Sequence, residues 1–395
     1  MTRMRVPGDK SISHRALLLA ARARGTSHVT GLSEGEDVRH TAGAVTAMGA
    51  RIDGGRISGG DLHAVEGTVD VGNSGTGIRL LAGYCASFSW RTVLRGDASV
   101  DRRPMDRVAA PLRLMGARID DAYPPLVIDG GGLLGIDYEL SVPSAQVKGA
   151  VLLAGLGADG ETVVRESIPT RMHTEELLQL AGADIEVEPG VSRVRACELQ
   201  PFELDVPGDP SQAAFWVVAA TIVPRRELTI EHVYTGPARA GFLDVLRRMG
   251  ADIEVADGDL HVRSAALHAT EVGGVEVPGL IDEIPILAVA AACAEGTTVF
   301  RDAAELRVKE SDRVATVVAM LQALGVDAEA HEDGLSVTGP ARLRGGRVDA
   351  HGDHRIAMSA AIASLVAEGP VIIDGMGSVA TSYPGFEDDL RRCVS

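Results

Sequence analysis

A phrase that closes a helix recurs five times in this chain, and a phrase that opens one recurs six times in matching register. The closing phrase reads AMGARI at Gly49, LMGARI at Gly116, LAGADI at Gly182, RMGADI at Gly250 and ALGVDA at Gly325, at intervals of 67, 66, 68 and 75 residues. The opening phrase is a valine or alanine, a short Gly/Pro turn and an apolar run. Its copies begin at Val6, Val71, Val142, Val206, Val277 and Ala350. A chain that repeats one unit of about 65–70 residues must build its cores from copies of one supersecondary module.

Each copy reads as a strand entering a turn, a helix, a further strand such as RTVLRGD or RELTIEH, and a second helix. Glycine ends that second helix, and short alternating strands such as ADIEV follow. The unit is therefore βαβαββ, and the fold class is α/β (α+β), with helices covering sheets. Six units exceed one hydrophobic core, which predicts two domains of three repeats meeting near VPGDPSQAAFW. The sixth copy is cut short after DDLRRCVS.

Composition narrows the function. No apolar run approaches the ~20 residues of a membrane span, and MTRMRVPGDKS lacks the apolar stretch of a secretory leader, so a cytoplasmic protein is expected. Cys85, Cys197, Cys293 and Cys393 are scattered, which suggests neither a disulfide framework nor a zinc site. A net charge of −17 and 3% aromatics argue against nucleic acid as partner. GDKS is not a Walker A loop, GNSGTG is not a dinucleotide fingerprint, and the H-x-x-H at His351 and His354 has no second cluster. No cofactor and no metal are expected.

What varies among the copies carries the chemistry. The turns hold Lys10, Ser11 and Arg15; then Asn73, Ser74, Thr76 and Arg79; then Ser144, Gln146 and Lys148; then Asp209 and Ser211; then Asp282 and Glu283; and last Asp353, His354 and Arg355. All lie where a turn opens a helix, and unpaired N–H groups there favour bound anions. DRRPM adds Arg103, PTRMHTE adds Arg171, and RVKESDR adds Lys309, Glu310 and Arg313. Lys309 and Arg313, four apart, are read as sharing a face.

Together, GDKSISHRALLLAA, GNSGTGIR, RRPM, SAQVKGAVLLAG, RVKESDR and GDHRIAM resemble the 5-enolpyruvylshikimate-3-phosphate synthase family, in order from Val6 to about Pro384. The resemblance implies a two-domain inside-out α/β barrel, with residues 9–216 as one lobe, 1–8 and 217–395 as the other, and the site in the cleft. It implies transfer of the enolpyruvyl group of phosphoenolpyruvate to the 5-hydroxyl of 3-phosphoshikimate; a monomer is expected. Lys10, Ser11, Arg15, Ser144, Ala145, Gln146, Arg171, Asp282 and Lys309 would meet 3-phosphoshikimate. Lys10, Asn73, Gly75, Thr76, Arg103, Gln146, Arg313 and Arg355 would meet phosphoenolpyruvate.

The two substrates bring roughly −5 to −6 of charge. Lys10, Arg15, Arg79, Arg103, Arg171, Lys309, Arg313 and Arg355 answer it, and so many like charges are expected to repel one another until ligand arrives. Asp282 is assigned as base and Glu310 as proton donor, with Lys309 competing through cationic crowding and His354 assisting. Thr381 stands where some relatives place a lysine, Leu80 where some have proline, and Glu305 where some have asparagine; Gly75 is the small residue of glyphosate-sensitive forms. A UDP-N-acetylglucosamine enolpyruvyl transferase is disfavoured, because the RRPMDR loop has no cysteine and Ser11 follows Lys10. A non-catalytic anion binder is disfavoured because Asp282, Lys309 and Glu310 are all present.

Overall fold

A computed structural model describes residues 2–394. The chain forms two compact units, Gly8–Val206, and Met1–Pro7 with Pro207–Ser395. In the second copy, strand Thr68–Asp70 runs into the turn, helix Gly75–Ala86 follows, and strand Arg91–Arg95 returns parallel to the first. Helix Asp106–Leu114 then leads to the antiparallel pair Arg118–Ile119 and Leu126–Asp129. The resulting sheet order, first, second, fourth, third, recurs in five four-stranded sheets. The sixth copy keeps the parallel pair Gly346–Asp349 and Val371–Asp374 and continues into helix Phe386–Val394, with no hairpin among the described residues.

Two strands trade places. Thr2–Met4, which enters the first copy's turn, pairs with Glu227–Ile230 of the fourth copy, while Glu203–Asp205, which enters the fourth copy's turn, pairs with Gly25–Thr30 of the first. The chain therefore changes unit immediately after each of these strands, at Pro7 and at Val206. This corrects the boundary expected near 216, which would divide helix Pro210–Ile222. Residues Pro210–Thr221 of that helix are all buried, with Phe215 and Trp216 in the core of their own unit.

The helices that open at the turns are the inner elements of each unit. Pro210–Ile222, Ile284–Ala292 and His354–Ala363 pack against one another and are buried on nearly every side, as helices apolar all round must be. The sheets face outward. In strand Asp259–Arg263, Leu260 and Val262 are buried while Asp259, His261 and Arg263 reach solvent. Helices within and sheets without make the expected inside-out α/β architecture.

The repeated glycines have one physical job. Gly49, Gly116, Gly182, Gly250 and Gly325 all have positive φ, between 70° and 113°, just beyond a helix end. The next residue donates to the carbonyl five positions back, as in Ala117 to Leu112 at 3.0 Å. That bond pairs carbonyls a helix end leaves open, and the left-handed backbone it needs favours glycine.

Helices Gly75–Ala86 and Ala145–Gly155 approach closely because Gly83 has no side chain: a Cβ there would lie 2.0 Å from the Ala150 carbonyl oxygen. Their leading turns carry candidate site residues, so this contact sets where those turns lie. Gly83→Ala should force the helices apart and destabilise the chain by about 1–3 kcal/mol. The urea midpoint reads it; an unchanged midpoint contradicts the packing described.

Candidate active site

In the Gly8–Val206 unit, three inner helices open under side-chain caps. Asp9 accepts from Ile12 N at 2.8 Å, Ser74 from Gly77 N at 2.9 Å and Ser144 from Val147 N at 3.3 Å. Each cap satisfies one amide and leaves others of the first turn directed at the loop, a disposition that suits anions.

Arg15 ties the first and third copies together. Its side chain is buried and donates to Ser11 Oγ (2.7 Å), the Ser11 carbonyl (3.0 Å), Thr174 Oγ1 (2.6 Å) and the Ala145 carbonyl (3.1 Å). All four acceptors are uncharged, so these bonds orient the guanidinium without neutralising it. Burial first, and the nearby Arg171 second, lower its pKa to about 10.

The second and third copies meet through a relay. Arg79 donates to Gln146 Oε1 at 3.1 Å, and Gln146 Nε2 donates to Thr76 Oγ1 at 2.9 Å. Arg103 donates to Asn73 Oδ1 at 3.2 Å and Ser99 Oγ at 3.1 Å. Gly75 lies among these groups: a Cβ there would come 2.7 Å from Arg103 Nη1 and 3.1 Å from Arg79 Nη1. Lys10 is drawn instead to Asp37, at 3.0 Å.

The other unit has a different electrostatic character. Arg313, buried at the start of helix Arg313–Ala323, meets three carboxylates: Asp282 at 3.1 Å, Glu310 at 2.6 Å and Asp353 at 2.8 Å. Burial works against its charge, but Glu310, Asp353 and Asp282 overcome that and raise its pKa. Burial likewise opposes ionisation of Asp353, yet Arg313 and His354 hold its carboxyl below the usual range. Lys309 lies 3.7 Å from Asp282 Oδ1. Arg355 donates to the Asp282 carbonyl at 3.0 Å and stands 3.8 Å from Glu283. His354 Nδ1 is 3.4 Å from Thr381 Oγ1, so the threonine noted in the sequence does reach this cluster.

Asp282, Lys309, Glu310, Arg313, His354 and Arg355 are thus gathered in one unit, and Ser11, Arg15, Asn73, Gly75, Thr76, Arg103, Ser144, Ala145 and Gln146 in the other. Of the helix or turn on which Lys309 and Arg313 were expected to share a face, the helix is excluded: Lys309 is extended (φ −81°, ψ −155°), Asp312 caps the helix that begins at Arg313, and the two cations converge on Asp282. Lys309, Arg313 and Arg355 all have Asp282 within 4.0 Å, so three cations are gathered around one carboxylate.

Sequence reasoning missed Arg239, which is buried against Asp209 at 2.5 Å and Ser211 at 2.6 Å and holds Glu283 at 3.5 Å. It also missed Asp37 and Thr174. None of the three lies in a repeat's opening turn, so register offered no signal.

The fold defines a protein of two α/β units, each built from three copies of one module around inner helices. The enolpyruvyl transferase NikO from Streptomyces tendae shares this fold, with a TM-score of 0.80 at 19% identity over 99% of this chain and 94% of that one. The chain belongs to the EPSP synthase (3-phosphoshikimate 1-carboxyvinyltransferase) family, which it matches over residues 2–390. The 3-phosphoshikimate 1-carboxyvinyltransferase of Halorhodospira halophila is 51% identical, over 98% of this chain and 92% of that protein. That of Alkaliphilus metalliredigens is 44% identical, over 99% and 97%. A solved EPSP synthase from Acinetobacter baumannii superposes with a TM-score of 0.87 at 42% identity, covering 99% of this chain and 95% of that one.

One buried titratable group underlies the first unit's turns. His14 Nδ1 lies 2.7 Å from Thr41 Oγ1, and Nε2 lies 3.5 Å from the capping Ser74 Oγ. Burial drives its pKa from 6.5 down to about 3. Between those values the unfolded chain binds the proton and the folded chain does not, so stability falls as pH drops through this window, by up to about 1.4 kcal/mol per pH unit. His14→Gln should flatten the dependence of the urea midpoint on pH between 6.5 and about 4. An equally steep acid limb in the variant contradicts the assignment.

Proposed function

We infer that the chain transfers the enolpyruvyl group of phosphoenolpyruvate to the 5-hydroxyl of 3-phosphoshikimate, releasing phosphate and forming 5-enolpyruvylshikimate-3-phosphate, a step of aromatic amino acid biosynthesis. The observation that carries this is family membership over nearly the whole chain. The grouping of the expected site residues within each unit supports it.

In this reading the two constellations serve one pair of substrates. Arg15 and Arg171, with Lys10, Ser11, Ser144, Ala145 and Gln146, bind 3-phosphoshikimate; bidentate guanidinium forks suit its phosphate and carboxylate. Asn73, Gly75, Thr76, Arg103 and Gln146 bind phosphoenolpyruvate together with Lys10, Arg313 and Arg355. Asp282 takes the 5-hydroxyl proton as the oxygen bonds to C2 of phosphoenolpyruvate. Glu310 delivers a proton to the vinyl carbon, which becomes a methyl group. The tetrahedral ketal then returns a methyl proton to Glu310 as its C–O bond to phosphate breaks, which restores the double bond, and the departing phosphate takes the proton held by Asp282.

The resting ion pairs have a part in this sequence. Arg313 holds both Asp282 and Glu310, and an arriving anion that takes up its donors frees Glu310 to carry a proton and Asp282 to accept one. Lys309 lies near Asp282 and contributes charge to both substrates, and His354 assists from its place beside Thr381. No cofactor enters the scheme. The working form is taken to be a cytoplasmic monomer; Cys85, Cys197 and Cys293 are free thiols, as a reducing compartment keeps them.

Inorganic phosphate should appear only when both substrates are present, and Asp282→Ala should lower turnover by at least about 100-fold while 3-phosphoshikimate still binds. Near-normal turnover removes Asp282 from the mechanism. A wild-type chain that binds the substrates without releasing phosphate instead favours a non-catalytic anion binder. Gly75→Ala, which intrudes on Arg103, should raise KM for phosphoenolpyruvate more than that for 3-phosphoshikimate; equal KM values contradict its placement.

A further inference from the structure

Lys148 is a buried cation that the reaction scheme does not use. It sits on helix Ala145–Gly155, one turn beyond Ala145 and Gln146, with its side chain 1% exposed. Its ammonium lies 2.8 Å from Glu166 Oε1 and 2.7 Å from Glu175 Oε1, both buried carboxylates, and 3.5 Å from the Thr170 carbonyl. Glu166 also accepts from Thr170 N at 3.1 Å and Thr170 Oγ1 at 2.6 Å, and Glu175 accepts from Ser192 Oγ at 3.1 Å.

The segment these carboxylates pin contains Arg171, His173 and Thr174. His173 Nδ1 is 3.0 Å from Ser11 Oγ, and Thr174 Oγ1 accepts from Arg15 at 2.6 Å. Glu175 and Arg171 both act on Arg15 through space, with opposite sign. The local balance is therefore delicate. One lysine faces two carboxylates, and without it a charge of −2 would lie buried beside Arg15 and Arg171. Buried carboxylates deprived of a cation draw the next one within reach, because an uncompensated buried charge is the costliest alternative.

We propose that Lys148 is a positioning residue for binding of the phosphorylated acceptor: by occupying Glu166 and Glu175 it leaves Arg15 and Arg171 directed at the ligand. The proposal rests on the function inferred above. It is a claim about charge as well as packing, so removing the surplus carboxylate should compensate for removing the lysine. Lys148→Met creates the −2 site; Lys148→Met with Glu175→Gln returns the local charge to −1 without restoring the lysine.

Steady-state phosphate release by the intact chain, with each substrate varied in turn, tests this. Lys148→Met should raise KM for 3-phosphoshikimate about tenfold or more, with kcat and KM for phosphoenolpyruvate changed by less than about threefold. Lys148→Arg should stay near wild type, and the double variant should recover most of the loss. An unchanged KM in folded Lys148→Met overturns the proposal, as does a double variant no better than the single one. If Lys148→Met alone does not fold, the double variant decides: a KM near wild type supports the proposal and a tenfold rise overturns it. A wild-type chain that releases no phosphate with both substrates refutes the inferred reaction instead, and calorimetric titration of the same variants with 3-phosphoshikimate then tests the positioning role on binding alone.

Discussion

The parallel pairing of a strand that enters a turn with a strand that follows an inner helix is the constraint on which everything else rests. In four copies both strands belong to the same copy, the crossover they need is the inner helix, and its first turn lies at the carboxyl ends of both strands. Every candidate group on an opening turn inherits its place from that geometry. The exchange of Thr2–Met4 and Glu203–Asp205 preserves the rule at the two points where the chain changes unit. Neither sheet loses its outer parallel strand, so neither inner helix loses its anchor.

On this common frame the two units differ in charge. In Gly8–Val206, Arg15, Arg79 and Arg103 are oriented by hydroxyl, amide and carbonyl oxygens. Around Arg15, bonds of that kind fix the direction of the guanidinium without neutralising it, while Lys10 in the same unit is paired with Asp37. In the other unit Arg313 is surrounded by Asp282, Glu310 and Asp353. Paired groups bind a new anion less readily, but they hold carboxylates whose proton affinity changes when the pairing is disturbed. The first pattern suits substrate binding and the second suits proton transfer, the division of labour the proposed reaction needs.

Much of this was legible in the sequence because repetition multiplies weak signals. A lone Met-Gly-Ala means little, but five in register specify five helix ends, and all five glycines have the positive φ such ends require. The opening turns were found the same way. What stayed hidden were partners outside the register. Arg239 follows an irregular turn, Thr174 lies inside a short helix, and Asp37 opens a helix that carries none of the repeat's charged turn residues. The meeting of Lys309 and Arg313 at Asp282 was equally invisible, since spacing of four suggested only a shared face on a helix or turn, and Lys309 is extended. Lys148 was visible as a residue, but its two glutamates are brought to it only by the fold.

The most direct test of this division is equilibrium binding of 3-phosphoshikimate, by calorimetry, to the intact chain carrying either Arg15→Gln or Glu310→Gln. The account predicts that the first variant loses most of its affinity while the second binds as wild type does and fails in turnover. Retained affinity in Arg15→Gln, or lost affinity in Glu310→Gln, contradicts it.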